Sequence, residues 1–307
     1  MIKAKRSWVL VGAGVLLAAG CGSSAKATSS ATSIPVTTAA PTTTVARGSG
    51  PVDVLYAGSL VNVMEKEIGP AFNAATGYTF QGFSAGSTAL AAQIKGKVRQ
   101  GDVFISASPS VNETLMGSSN GDWVSWYVTF ADSPLVIGYN PHSKFAEDLQ
   151  TKPWYEVITE PGFLIGRTDP ATDPKGKLTE QALAEAAKMY NLPALNQITA
   201  SSSNVYPEET LVGRLQAGQL DAGFFYTSET TAAGVPTIEL TGIALKATYT
   251  VTVLNQAPHQ AGAEAFTSYL LGPEAQAILT KSGFHLVQPP TVTGSGVPAS
   301  VSSAVSG

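Results

Sequence analysis

Val52-Asp53-Val54-Leu55-Tyr56-Ala57-Gly58-Ser59-Leu60 and Tyr78-Thr79-Phe80-Gln81-Gly82-Phe83-Ser84-Ala85-Gly86-Ser87-Thr88 repeat one arrangement. In each, an extended apolar run stops at a small-residue turn carrying Ser, and a helical pattern begins at once. Ser at such a junction can cap the helix and Gly keeps bulk away, so unpaired N–H groups and the positive end of the helix dipole face open space. That is a way to hold a small anion without Lys or Arg. Outward from these turns the pattern continues: Val61 to Ala75 has helical spacing ended by Gly77, Ala89 to Val98 reads as a second helix, and Asp102-Val103-Phe104-Ile105-Ser106-Ala107 suits a buried parallel strand. Strands joined through helices predict a doubly wound α/β lobe with its ligands at the carboxyl ends of the strands.

A second set of units follows. Ser133 to Tyr139 reads as a strand, Gly162 to Gly166 as another, and a turn over Thr168-Asp169-Pro170-Ala171-Thr172-Asp173-Pro174-Lys175-Gly176 leads into a helix from Leu178 to Tyr190. Pro207 to Ala217 is a compact helix with Pro at its start, Glu208 and Glu209 in its first turn and Gly218 just beyond. Asp221 to Tyr226 and Tyr249 to Leu254 read as strands, and Ala263 to Lys281 supplies the last helices. The expected architecture is α/β and two-lobed, with a ligand cleft between the lobes. Residues 51–132 and 249–288 form lobe I and residues 133–248 form lobe II. The tail 289–307, rich in Pro, Ser, Val and Gly, is expected to be loose.

The first fifty residues are of another kind. Lys3, Lys5 and Arg6, an apolar stretch from Val9 to Ala19 and then Gly20-Cys21 have the form of a secretory signal over residues 1–21. The apolar stretch is too short for a membrane-spanning helix. Cys21 is the only cysteine, which excludes an intrachain disulfide and a Cys-rich metal site. Its setting resembles a bacterial lipobox, implying lipidation of Cys21 and a membrane anchor on the extracytoplasmic face. Residues 22–50 are Ser, Thr, Ala, Pro and Gly with only Lys26 and Arg47 charged, a composition that reads as a disordered tether.

The chain has 307 residues, 44% hydrophobic and 13% charged, which suits a globular protein of one or two domains. Five of its 18 basic residues precede Pro51, leaving 13 against 22 acids, a formal charge of −9 beyond that point. An acidic globule argues against a nucleic-acid partner. A phosphate-binding G-x-x-x-x-G-K-S/T loop is missing from the sequence, and three scattered histidines with one cysteine cannot build a zinc cluster.

Candidate site residues each have a plain structural reading beside the functional one. Ser59 and Ser87 can be simple N-caps, but two of them at successive strand ends of one lobe point to binding. Asp173 precedes Pro174 in a turn, and Glu208 lies in a helix's first turn, where the dipole favours an acid anyway by roughly 0.3–1 kcal/mol. A carboxylate beside a bound dianion repels it, unless the ligand has a metal centre that accepts further oxygen donors. Tyr226 can be a core aromatic or a hydroxyl donor at a strand end. Gly82-Phe83-Ser84-Ala85-Gly86 matches the G-x-S-x-G elbow of serine hydrolases. An exported hydrolase using Ser84 would need a histidine from among His142, His259 and His285, and His259, in a loop after a strand, is the plausible base.

Taken in order, Leu55 to Leu60, Phe83 to Thr88, Asp102 to Ala107 and Gly218 to Tyr226 resemble the molybdate/tungstate-binding proteins of ABC importers, over about Val52 to Phe284. The resemblance implies a periplasmic-binding-protein fold that closes on a tetrahedral oxyanion and passes it to a membrane permease, without catalysis, without a cofactor other than the ligand and as a monomer. It implies that Ser59 and the Gly86-Ser87 turn bind from lobe I, and that the Asp173 to Gly176 turn, Glu208 and Tyr226 bind from lobe II. In one branch of that family two carboxylates complete six-fold coordination of the metal, and Asp173 and Glu208 fall where that branch has its acids. Lys175 departs from the branch, and the neighbouring Asp169 is an alternative carboxylate. A receptor for another small solute, such as sulfate or ferric iron, is the other binding reading; iron is disfavoured because adjacent tyrosines and clustered histidines are missing from the sequence.

Overall fold

A computed structural model describes residues 46–306. The expected signal segment, Cys21 and the tether up to residue 45 lie outside the described residues. Among the described residues no helix is long and apolar enough to cross a membrane.

Nine strands form a single curled sheet: β1 (Pro51–Ala57), β2 (Thr79–Ala85), β3 (Val103–Ser106), β4 (Trp126–Tyr139), β5 (Ile165–Gly166), β6 (Ala222–Tyr226), β7 (Thr237–Glu239), β8 (Lys246–Val253) and β9 (His285–Gly294). Their order is β2-β1-β3-β8-β4-β6-β5, with β7 and β9 also paired to β4. β1 pairs in parallel with β2 and β3, as strands joined through helical connections can. β8 then runs antiparallel to both β3 and β4. The parallel, doubly wound pattern expected for the first lobe therefore covers three strands; the pairings that follow are antiparallel except that of β5 with β6, which is parallel.

β4 is the element that joins the two halves. Val128 to Pro134 pairs with β8, and Leu135 to Tyr139 pairs with β6, so partners change between Pro134 and Leu135. At that handover the buried Ser133 hydroxyl accepts a hydrogen bond from Ser228 N–H at 3.0 Å. Apolar side chains of β1, β3, β4, β6 and β8, all nearly inaccessible, form one continuous core with the Gly69–Thr76 and Gln260–Leu270 helices. Phe72, Phe266 and Tyr269 meet there in edge-on and tilted ring contacts.

The tail is not loose. Residues 285–294 form β9, which pairs antiparallel with Trp126 to Thr129 and with Ala131 and Asp132 of β4. Ala299–Ser306 is a helix whose Val301 is fully buried and whose Ser300 hydroxyl donates to Glu264 at 2.8 Å. The consecutive prolines of β9, Pro289 and Pro290, fall in the bulge between Leu286 and Thr291 that has no partner on β4, so their missing N–H groups cost no ladder bond.

Candidate functional site

Strand β1 ends at Ala57, and Gly58-Ser59-Leu60 turns tightly into the helical stretch that begins at Val61. The buried Ser59 hydroxyl accepts from the Tyr249 hydroxyl of β8 at 3.0 Å, leaving its own proton free to donate. Strand β2 ends at Ala85, Gly86 occupies the N-cap position, and the Ser87–Lys95 helix follows. Ser87 is fully buried; its hydroxyl accepts from Ala107 N–H at 3.1 Å, fixing the end of β3 against the turn. Neither serine caps its own helix through its side chain. The first-turn N–H groups are thus left for other partners, and Ala89 N–H donates to the Thr172 carbonyl at 3.0 Å.

Three further helices bring acids to the same place. Asp173 is the N-cap of the Pro174–Met189 helix, and its Oδ1 accepts from Lys175 N–H at 2.8 Å. Glu208 is the first residue of the Glu208–Gln216 helix. Glu229 is in the first turn of the Thr227–Ala233 helix and accepts from Tyr226 N–H at 2.8 Å. Each carboxylate sits where a helix dipole favours negative charge, and all three are buried. Lys175, 0% exposed, stands among them: Nζ is 2.7 and 2.9 Å from the two Glu229 oxygens and 3.4 Å from Glu208 Oε1. Burial draws the ammonium's pKa down, but Glu229, Glu208 and Asp173 outweigh it and leave it raised.

The polar atoms without partners mark the space between these elements. Asp173 Oδ2, both Glu208 oxygens and the Tyr226 hydroxyl are buried with no hydrogen-bond partner. Such groups are costly to leave unsatisfied in a purely structural role. Burial raises the carboxyl pKa of Asp173, with Lys175 and its N–H opposing, and raises that of Glu208 well above the usual range, with Asp173 adding to the effect and Lys175 opposing. Burial also pushes the Tyr226 and Tyr249 hydroxyls well up, so both are protonated donors.

The two halves meet here. A Cβ added to Gly58 would lie 2.8 Å from Glu208 Oε2, and one added to Gly86 would collide with the Thr172 carbonyl oxygen and reach 3.2 Å from Asp173 Cβ. Two cavities flank Glu208. One of about 340 Å³ is bordered by Gly86, Asp169 and Asp173, the other of about 420 Å³ by Gly58, Ser59 and Glu229.

Of the residues expected from sequence, Ser59, Gly86, Asp173, Glu208 and Tyr226 are brought together from five separate elements. Ser87 lies at the same junction with its hydroxyl turned to Ala107. Asp169 is half-buried and its Oδ1 accepts from Ala171 N–H at 2.9 Å, organising the turn. Glu229 and Tyr249 were not singled out from sequence. Glu229 follows Tyr226 by three residues in an unread helix, and only a first-turn acid after a strand end could have signalled it.

The hydrolase constellation is not assembled among the described residues. Ser84 lies within β2, opposite Tyr56, three residues short of the helix. His259 is at the other end of β1, its Nδ1 2.9 Å from Asp102 Oδ2, and its N–H donates to Asp102 Oδ1 at 2.7 Å.

Comparison with known proteins agrees with this architecture. A solute-binding protein of Petrotoga mobilis is 30% identical over 278 residues, covering 79% of this chain and 85% of its own. The molybdate/tungstate-binding protein WtpA of Thermococcus kodakarensis is 24% identical over 267 residues, covering 70% of this chain and 75% of the relative. Among solved structures, the periplasmic molybdate-binding protein of Azotobacter vinelandii superposes with a TM-score of 0.62 at 22% identity, over 77% of this chain and 100% of that one. The sulfate-binding protein SubI of Mycobacterium tuberculosis gives 0.59 at 17% identity, over 83% and 90%. The sequence profile of the bacterial extracellular solute-binding proteins matches residues 52–285, and the chain belongs to that family.

Proposed function

We propose that this chain is the extracytoplasmic receptor of an ABC importer for molybdate or tungstate, tethered to the membrane through a lipid on Cys21 and without catalytic activity of its own. The observation that carries the reading is the pair of buried acids, Asp173 and Glu208, with unpartnered oxygens, the first beside the Gly86 turn and the second with Oε2 against the Gly58 turn. Serine hydroxyls, first-turn N–H groups and the Tyr226 hydroxyl supply donors for the oxo groups. The two carboxylates supply extra oxygens to a Mo(VI) or W(VI) centre, which accepts more than four ligands. Sulfur and phosphorus in their oxyanions do not expand in that way, so sulfate and phosphate meet the same carboxylates as plain repulsion. Discrimination then rests on the unfavourable contact as much as on the favourable one. The names of the relatives from Thermococcus kodakarensis and Azotobacter vinelandii support the same ligand class.

Calorimetric titration with tungstate, molybdate and sulfate tests the proposal. The expected result is tight binding of the two metal oxyanions and none of sulfate, lost in Asp173→Ala and Glu208→Ala and retained in Ser84→Ala. Equal binding of sulfate, or binding untouched by loss of either acid, would refute it.

A further inference from the structure

Lys175 is a fully buried cation that makes no contact suited to gripping an anion, because carboxylates of its own chain surround its ammonium. Two of its donors go to the Glu229 oxygens at 2.7 and 2.9 Å, and Glu208 Oε1 stands 3.4 Å away. Its aliphatic stem leaves the first turn of the Pro174–Met189 helix, and the ammonium lies 5.5 Å from the centre of the Tyr226 ring. Glu229 is itself fixed, since it also accepts from Tyr226 N–H at 2.8 Å. The Glu208 head, by contrast, has no hydrogen-bond partner among the described residues, so this ammonium is what holds it.

These distances carry an asymmetry with a functional meaning. Left alone, a buried lysine beside a buried glutamate would contract into a direct ion pair of roughly 2.8 Å. Glu229 takes the close position and keeps the ammonium at arm's length from Glu208. We propose that the Lys175–Glu229 pair is a positioning and specificity-determining device: Glu229 anchors the ammonium, and the ammonium holds the Glu208 carboxylate in the cavity, turned toward the Gly58 turn, free to ligate the metal of an oxyanion. The inference rests on the ligand class proposed above. It assigns to neither Lys175 nor Glu229 any contact with the ligand.

A mere counter-ion and a positioning device predict opposite signs. Glu229→Gln removes one negative charge from the site. If charge alone mattered, a dianion would bind more tightly; if Glu229 restrains Lys175, the ammonium closes on Glu208, and molybdate affinity falls about tenfold or more. The double variant Lys175→Met/Glu229→Gln keeps the charge balance of the pair and replaces it with side chains of similar volume, an exchange that buried ion pairs commonly tolerate; its melting curve shows that it folds before its binding is read. Its molybdate affinity is expected to fall about 100-fold.

Calorimetry on the wild type, Glu229→Gln and the double variant is combined with X-ray absorption at the molybdenum K edge of the loaded proteins. Tetrahedral molybdate has an intense pre-edge feature that weakens on expansion to six ligands. The expected result is a weak pre-edge in the wild type and an intense one in both variants, which a purely structural role would not produce. Tighter binding by Glu229→Gln, or a double variant with wild-type affinity, or weaker variants that keep the six-ligand signature, would each overturn the inference. Failure of the wild type to bind molybdate and tungstate at all is a distinct result that removes the ligand assignment and the inference with it.

Discussion

Glu208 begins its helix where the dipole favours an acid, yet its two carboxylate oxygens are buried and unpartnered. Three acids share one ammonium in this cluster, so once Glu229 has taken the lysine the Asp173 and Glu208 carboxyls are left without a cation of their own, and burial raises the pKa of both. Glu208→Gln is therefore expected to stabilise the empty protein by about 1–3 kcal/mol, seen as a higher melting temperature, while abolishing tungstate binding. A drop in stability would mean that the Lys175 contact outweighs the burial cost. Asp53 offers a test at the opposite end of β1. Its carboxyl pKa is raised by burial and then by Asp102, with His259 opposing. A carboxyl raised in the folded state contributes stability below its unfolded pKa, and that contribution is lost as pH rises through the folded value. Asp53→Asn should accordingly leave the melting temperature unchanged near about pH 3 and raise it slightly near about pH 7. The effect is small because the side chain is 38% exposed.

At the scale of elements, those that read most clearly from sequence are those whose local pattern and tertiary role coincide. Apolar runs such as Val103 to Ser106 and Ala222 to Tyr226 are buried strands, and the Ser- and Gly-bearing turns after β1 and β2 are strand–helix junctions. Glu208 was legible for a local reason too, as an acid in a helix's first turn; Asp173 reads only as a turn residue ahead of a helix expected from Leu178, and its N-cap position is a finding of the structure. What could not be read depends on distant partners. The first half of β4, Trp126 to Phe130, is aromatic and β-branched throughout and carries a strand signal of its own, whereas β9, interrupted by Pro289 and Pro290, is a strand because it lies against β4. Glu229 has the same character: its importance comes from Lys175, 54 residues away. The C-terminal helix shows what such late elements contribute. Val301 is fully buried and Val305 packs half-buried against the same core, although the rest of the short helix is Ala and Ser. Val301→Ala should lower unfolding free energy by about 1–2 kcal/mol in denaturant titration. Oxyanion affinity should stay within about twofold of wild type, since the helix packs on Gln260–Leu270 and away from the Asp173 cluster.

For the whole molecule, the determining contact is the close apposition of two turns from different halves of the sheet. Ala89 N–H bonds the Thr172 carbonyl, and Gly86 leaves no room for a side chain between them. The backbone at Gly86 has φ −56°, a value open to any residue, so glycine is required there by proximity and not by conformation. A larger residue would be harmless with the halves apart and obstructive with them together. Gly86→Val is thus expected to fold with nearly unchanged stability in the empty state, to bind tungstate at least about tenfold more weakly, and to keep a larger radius of gyration in X-ray scattering whether or not ligand is added. The wild type should contract or stay compact when tungstate is present. The reasoning separates two origins of affinity: donors that each half offers on its own, and the joint enclosure that only apposition produces. If Gly86→Val bound as tightly as the wild type while remaining expanded, a single half would suffice to hold the ligand. The acids of one half and the turns of the other would then not act together.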